Sequence, residues 1–320
     1  MGGKIKMCKT IVDRWVREME IIERKSKLTI DAYLSDINRF KDYIAKKHQE
    51  DFDSVIGKID YMTVDDYKFY LWENLKLTES TVNRNINSLK SFFGYTKRYT
   101  GKNPCEELKT MNNVTTKKKD LITKEQVLRL LEATEKREGR QIYFDYISKR
   151  NKFIISLLAT SGLRIQELLT IKKEKIIDFG EYARVTIDIH EGKTKLNKNI
   201  VICGITYDYY KEYLEEYNKK FSLDNDNYLI LSGTGNKVAT KDVNKLLKKL
   251  GERISIEENL SCHCFRMFTN HQLIGLGAND VVRNKIMGWS DNSVASNNYW
   301  DDNSKQADEA KIKYVSKILE

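Results

Sequence analysis

Residues 160–171 read TSGLRIQELLTI, and the break they make in a helix decides how the second half of the chain is read. Upstream, the stretch RNKFIISLLATSG is a helix that Gly162 can end, because glycine takes left-handed backbone without a steric penalty. Arg164 follows at once, and Glu167 stands one turn further on the same face. Such a pair is commonly a solvated ion pair of small worth. Here it lies between FIISLLATSGL and LLTI, apolar flanks that predict partial burial. A guanidinium in that setting must be held by partners or used on an anion.

Working outward, ARVTIDIHEGKTKLNKNIVI (183–202) alternates with period two. Val185, Ile187 and Ile189 share one face, a lysine-rich turn carries Lys193 and Lys195, and a second strand returns through Ile200 and Ile202. Lysines at a hairpin tip are usually solvated. Further on, SCHCFRMFTNHQLIGLG (261–277) holds two of the four histidines of the chain. Cys262, His263 and Cys264 are soft ligands, but they lack the two-to-four-residue spacing by which two cysteines share a zinc, and Cys8, Cys105 and Cys203 make no second pair. No metal site is expected. His263 and Arg266, three apart on a helix, instead present an imidazole and a planar fork of donors side by side, a combination suited to phosphate. GTGN (233–236) lacks the rest of any nucleotide-binding motif and reads as a turn. IMGWSDNSVASNNYW (286–300) then places Trp289 after a glycine and Tyr299 after a polar stretch.

The first hundred residues carry helical periodicity almost throughout. Ile11, Trp15, Met19 and Ile22 mark one helix; Tyr33, Ile37, Phe40 and Ile44 mark a second, with Thr29 as its expected cap. TVDDYKFYLWENL and TESTVNRNINSLKSFFGYTKRY add two more, each opened by a threonine. The only proline, Pro104, and the polar stretch 110–120 follow. The expected organisation is therefore a helical domain at 1–109, a linker at 110–120, and a second domain at 121–320 that is mainly α with one small antiparallel β-sheet, α+β in class.

The chain has 320 residues and a net charge of +10. The surplus is shared: 24 basic against 18 acidic residues up to residue 120, and 32 against 28 beyond it. Two basic halves fit the two jaws of a clamp on a polyanion. The longest apolar run falls far short of the roughly 20 residues that span a bilayer, so no membrane association is expected. The amino terminus MGGKIKMCKT lacks the apolar core of a secretory signal, which points to the cytoplasm and to reduced cysteines.

Taken in order, TSGLRIQEL, EGKTK, HCFRMFTNH and MGWSDNSVASNNY resemble the catalytic boxes of the tyrosine recombinases, the phage-type integrases and Xer-type resolvases, and the amino-terminal helical domain resembles their core-binding (SAM-like) domain. The four boxes span about 140 residues. Three departures stand out: Met267 replaces a histidine usual in the family, Trp289 replaces another, and the step from Trp289 to Tyr299 is one residue longer than the commonest spacing.

The resemblance implies strand cleavage and rejoining on double-stranded DNA without metal, ATP or other cofactor. It implies that Tyr299 is the nucleophile forming a 3′-phosphotyrosyl link, that Arg164 and Arg266 bind the phosphate, and that Lys193, with Lys195 as second choice, protonates the leaving oxygen. His263 would assist proton transfer, Trp289 would support the phosphate, and Glu167 would orient its neighbours. Arg84, Lys90, Lys97 and Arg98 are expected on DNA phosphates, with TVNRNINSLKSFF as the groove-contacting helix. His271 is expected to pack or cap within its helix. The resemblance further implies a homotetramer on two recombination sites, the tail KIKYVSKILE packing on a neighbour, a possible accessory DNA-bending factor, and a bacterial, nucleoid-associated setting. Two rivals are a type IB-like topoisomerase, which shares the chemistry, and a non-catalytic DNA-binding regulator with a diverged domain.

Overall fold

The computed structural model describes residues 10–48, 52–112, 121–137, 143–188, 197–221, 228–256, 260–289 and 301–320. Its described residues form two compact units, one ending at residue 112 and the other starting at 121.

The first unit is helical. Helix α1 spans Ile11–Arg17 and runs into a widened turn over Glu18–Ile22, in which Glu23 N–H reaches back five residues to the Glu18 carbonyl. Helices α2 (Lys27–His48), α3 (Phe52–Val55), α4 (Tyr61–Phe69) and α5 (Glu79–Thr100) follow, α4 also leading into a widened turn over Tyr70–Asn74. Two caps differ from expectation. Ser26, not Thr29, caps α2, its hydroxyl accepting from Thr29 N–H at 3.2 Å, and Asp60 rather than Thr63 caps α4. In both cases an oxygen side chain three residues earlier satisfies the same first-turn amide. Thr78 does cap α5.

Helix α5 is the spine of this unit. Val82, Ile86, Leu89, Phe92 and Phe93 bury against Trp15, Phe40, Phe52 and Tyr67, whose rings meet mostly edge to face. The groove-contact expectation for α5 therefore narrows to one strip. Ser80, Arg84, Asn87, Gly94 and Arg98 are exposed at helical spacing, and the rest of the helix is largely core.

The second unit is built on α7 (Phe144–Ser161), whose Phe153, Ile154, Leu157 and Leu158 are fully buried. It is preceded by α6 (Lys124–Ala133), opened by a reciprocal Thr123–Gln126 capping box, and followed by the one-and-a-half-turn α8 (Ile165–Leu169). A three-stranded antiparallel sheet comes next: β1 (Ile176–Asp178), β2 (Ala183–Ile187) and β3 (Lys198–Ile202), with Ile176 opposite Val185 and Ile187 opposite Lys198. The hairpin expectation covers β2 and β3; β1 is an addition to it. Ile189, Lys193 and Lys195 lie outside the described residues.

Helices α9 (Ile205–Lys220), α10 (Thr240–Arg253), α11 (Cys262–Gly275), α12 (Asp280–Met287) and α13 (Lys305–Val315) complete the unit, with α9 and α11 packed on α7. The stretch 233–236 is a turn, as its sequence suggests, with Gly235 N–H bonded to the Ser232 carbonyl. The apolar residues of the tail need a cover from their own domain or from a partner, and Val315, Ile318 and Leu319 are buried in the core of their own unit. A buried ion pair fixes that helix. Asp308 accepts two hydrogen bonds from Arg184 Nε and one at 2.6 Å from its NH2, while Tyr182 donates to the same carboxylate. No helix among the described residues is long and apolar enough to cross a membrane.

Candidate anion site

The site forms where three chain turns converge. Helix α7 ends at Gly162 in left-handed backbone (φ +57°), and a Cβ there would sit 2.8 Å from Met287 Sδ, so glycine is needed for both reasons. Helix α12 ends likewise at Gly288, φ +63°. The carbonyls released at these two ends point at one group. Arg266, on the second turn of α11, donates NH1 to the Gly162 carbonyl and NH2, at 2.7 Å, to the Met287 carbonyl. Helix carboxyl ends carry partial negative charge, so two of them here hold one guanidinium in place. Arg266 is only 7% exposed. Burial pulls its pKa below the usual arginine value, with Arg164 adding to the fall and Glu167 opposing it, yet an arginine stays charged at any ordinary pH.

Arg164 occupies the turn between α7 and α8. Its backbone N–H donates to Glu167 Oε2 at 2.9 Å and its NH1 to Glu167 Oε1 at 2.7 Å, so one carboxylate fixes both the chain and the side chain. Burial pushes Glu167 up, but Lys198 and the backbone and side chain of Arg164 outweigh it and hold the carboxyl below its usual range. The expected partial burial of Arg164 is corrected: its apolar neighbours turn inward, while its own side chain is 56% exposed. The contact with Glu167 orients a guanidinium that still faces solvent.

Trp289 directly follows Gly288, and its ring lies 5.7 Å from the Arg266 guanidinium carbon. Aromatic faces attract such cations. His263 lies one turn before Arg266 on α11 and is exposed. His271, expected to pack or cap within its helix, is exposed. Cys262 is buried and its thiol is pushed up to about 11 by that burial, which removes it further from metal or nucleophilic chemistry at neutral pH. Among the described residues no group of three potential metal ligands occurs. Tyr299 lies outside the described residues, between the end of α12 and Asp301.

One member went unread in the sequence. Lys198, at the start of β3, is 5% exposed, and its Nζ is 3.9 Å from Glu167 Oε2. The signal was present: Lys198, Ile200 and Ile202 alternate onto one face of the strand, which placed this lysine inward. The structure thus gathers Arg164, Glu167, Lys198, Arg266 and Trp289. Three cations share one carboxylate, an arrangement made to receive an anion.

The four DNA candidates of the first unit are less free than expected. Arg84 NH1 is 2.6 Å from Asp36, a fully buried carboxylate that also accepts from Ser88 and lies by Arg39. Lys97 pairs with Glu106 and Arg98 with Glu18, both on the surface. Lys90 is half-buried.

The family model described as "Phage integrase family" matches residues 120–306, and that of the "Phage integrase, N-terminal SAM-like domain" matches residues 12–100. The chain is similar to tyrosine recombinase XerD of Staphylococcus aureus, 23% identical over 288 residues that cover 89% of this chain and 92% of that protein. It is 27% identical to a tyrosine recombinase of Thermosipho africanus over 283 residues, covering 86% and 89% of the two. Its fold resembles that of XerH site-specific recombinase bound to palindromic difH substrate (TM-score 0.65, 16% identity, 88% of this chain and 77% of that one). It also resembles the Tn1549 transposon integrase in complex with transposon-end DNA (TM-score 0.64, 18% identity, 95% and 98%).

Proposed function

The chain belongs to the phage integrase family of tyrosine recombinases and is a site-specific DNA recombinase, and from that premise we propose which of its residues perform the cleavage. The observation that carries the proposal is Arg266. A guanidinium sealed in a fold and clamped by two helix ends, beside a second arginine aimed by Glu167, is a fixed receptor for the two non-bridging oxygens of a phosphodiester.

Tyr299 attacks the scissile phosphorus. The Oη–P bond forms, the bond from phosphorus to the 5′ oxygen breaks, and a 3′-phosphotyrosyl link and a 5′-hydroxyl result. The phenol, with an ordinary pKa near 10, needs its proton taken, which is the task assigned to His263. The departing 5′ oxygen needs a proton, supplied by Lys193 or Lys195 of the hairpin. Arg164 and Arg266 neutralise charge growing on the phosphate, a role in which loss of one donor typically costs about 10²–10³ in rate. Trp289 covers the phosphate with its indole N–H available to donate. The link conserves the energy of the bond it replaces, so a 5′-hydroxyl of another strand can reverse the step and complete exchange.

The relatives' DNA-bound structures support a duplex as partner, and a homotetramer on two sites is the assembly proposed for exchange. In the first unit, Lys97, Arg98 and the exposed strip of α5 are the groups proposed to meet phosphates, in a bacterial cytoplasmic setting. The test is covalent trapping on nicked duplexes carrying the DNA that flanks the gene, with wild type and Tyr299→Phe compared. A denaturation-resistant adduct that forms in chelator and vanishes in the variant supports the assignment. A variant that still forms the adduct refutes Tyr299 as nucleophile.

A further inference from the structure

The assignments above leave Lys198, a buried cation beside the phosphate-binding arginines, without a task. Lys198 does the reverse of what lysines usually do: instead of covering apolar surface with its stem and pushing its ammonium to water, it ends inside the protein. Among the described residues its Nζ makes no hydrogen bond, and Glu167 at 3.9 Å is an ion-pair partner beyond hydrogen-bond reach. The stem runs against Gly288. A Cβ at that position would stand 2.9 Å from Lys198 Cδ and 3.2 Å from its Nζ, so the glycine that ends α12 also leaves the space in which this ammonium sits.

Charged groups face it from three sides. Helix α8 and its cap contribute Glu167 and Arg164, α11 contributes Arg266, and α13 contributes Lys311. The Lys311 ammonium is itself taken up by the Asn199 carbonyl and Asp302, whereas the buried Lys198 ammonium donates to no group among the described residues. As mere filling, Lys198 makes poor sense. Methionine or leucine would occupy similar space without the cost of burying an amine among arginines.

Building on the recombinase reading, we propose that Lys198 is a third cation of the phosphate site, one that takes up a proton from solvent as the scissile phosphodiester enters and returns it when DNA leaves. Its surroundings suit that role. Burial pulls the ammonium down to about 7, Glu167 opposes the fall, and Arg266, Arg164 and Lys311 deepen it. A phosphodiester arriving between the arginines adds the opposite charge at close range and shifts the balance back toward the protonated form.

The experiment is calorimetric titration of the full chain with nicked duplex from the gene's flanks at pH 8, in buffers of different ionisation enthalpy, which reports protons taken up on binding. Wild type is expected to take up about one proton per protomer, Lys198→Met none, and Lys198→Arg none because arginine is already charged. Adduct formation should fall about tenfold or more in Lys198→Met and return toward wild type in Lys198→Arg, with a single cooperative melting transition in each variant as the check on folding. Equal proton uptake by wild type and Lys198→Met overturns the proposal. So does an unaltered adduct rate in Lys198→Met. The two readings separate cleanly: a Tyr299-dependent adduct without Lys198-dependent uptake sinks only this proposal, whereas Lys198-dependent uptake without any adduct keeps the phosphate site and sinks the assignment of the chemistry.

Discussion

Replacing Gly162 with alanine tests the idea that two helix ends were shaped to hold one arginine. Two costs can be counted. A non-glycine residue in left-handed backbone costs roughly 1–2 kcal/mol, and Gly162 sits at φ +57°. The new methyl would also stand 2.8 Å from Met287 Sδ and 3.4 Å from Thr269 Cγ2. Because both neighbours are fully buried, relief has to come from a shifted core, which costs about 1–3 kcal/mol. Together these give about 2–5 kcal/mol, or a fall of roughly 4–20 °C in the melting of the catalytic unit. A mutant cycle with Met287→Ala divides the sum. The alanine at 287 costs about 2–5 kcal/mol alone but less beside Gly162→Ala, because the added methyl occupies part of the space, so a coupling of about 1–2 kcal/mol is expected. Strand cleavage, measured well below the melting point, should fall further than stability alone explains, since the shifted Gly162 carbonyl is a ligand of Arg266. A Gly162→Ala protein within 1 kcal/mol of wild type, or one that is destabilised but cleaves normally, would refute the clamp.

Other perturbations act on separate parts of the fold. Lys198 gives a pH signature of its own: its folded pKa of about 7 lies below the unfolded value, so the unfolded chain binds more protons between pH 7 and 10 and stability should rise with pH through that window. Melting of wild type minus Lys198→Met at pH 6.5 and 9 reads the sign, and a difference that is flat or falls with pH contradicts it. Glu167→Gln removes the group that opposes the lysine's fall and aims Arg164, so the Lys198-dependent limb should move to lower pH and cleavage should drop about tenfold while DNA binding persists, which gel shift and trapping can separate. Asp308→Ala strands Arg184 and Tyr182 and should cost about 3–5 kcal/mol in denaturant unfolding, with α13 loosened from β2. In the first unit, Arg84→Ala should destabilise because Asp36 is fully buried, whereas Lys97→Ala should leave stability within about 0.5–1 kcal/mol and reduce the salt slope of DNA binding by about one. Equal effects of these two substitutions on both readouts would show that the ion pairs do not decide which cation is free for DNA.

The elements that could be read from sequence are those in which a local pattern and the final environment agree. Gly162 marks the end of α7 because its preference for left-handed backbone is intrinsic, and β2 and β3 announce themselves by alternation. What eluded reading was set by distant partners. Ser26 and Asp60 win the caps of α2 and α4 from threonines that sit three residues later, a choice of phase that periodicity leaves open. The exposure of Arg164 is invisible in its apolar flanks because a turn between two helices can face outward while its neighbours face in. Arg84 reads as a free surface charge until α2 brings Asp36 beneath it. Lys198 was hidden differently: it lay in a run of lysines whose other members occupy the turn, and only its register with Ile200 and Ile202 distinguishes it.

The same register bears on how the site is poised. Three cations and one carboxylate cannot all be comfortable in a partly dry space, and the fold settles each by a different route. Arg266 cannot lose its proton, so two helix carboxyl ends neutralise it with fixed dipoles. Arg164 keeps most of its surface in water and pairs with Glu167. Lys198 is buried and makes no hydrogen bond among the described residues, and its route is to give up its proton. The site therefore holds two fixed charges and one that is conditional. Fixed donors need no rearrangement when phosphate arrives, which is the property that makes preorganised sites effective, and the conditional charge adds attraction only when an anion is present to stabilise it. Gly288 joins the two devices. It ends the helix whose carbonyl clamps Arg266, and it leaves the room in which Lys198 waits, so Gly288→Ala should disturb both at once and lower cleavage more than loss of the lysine alone.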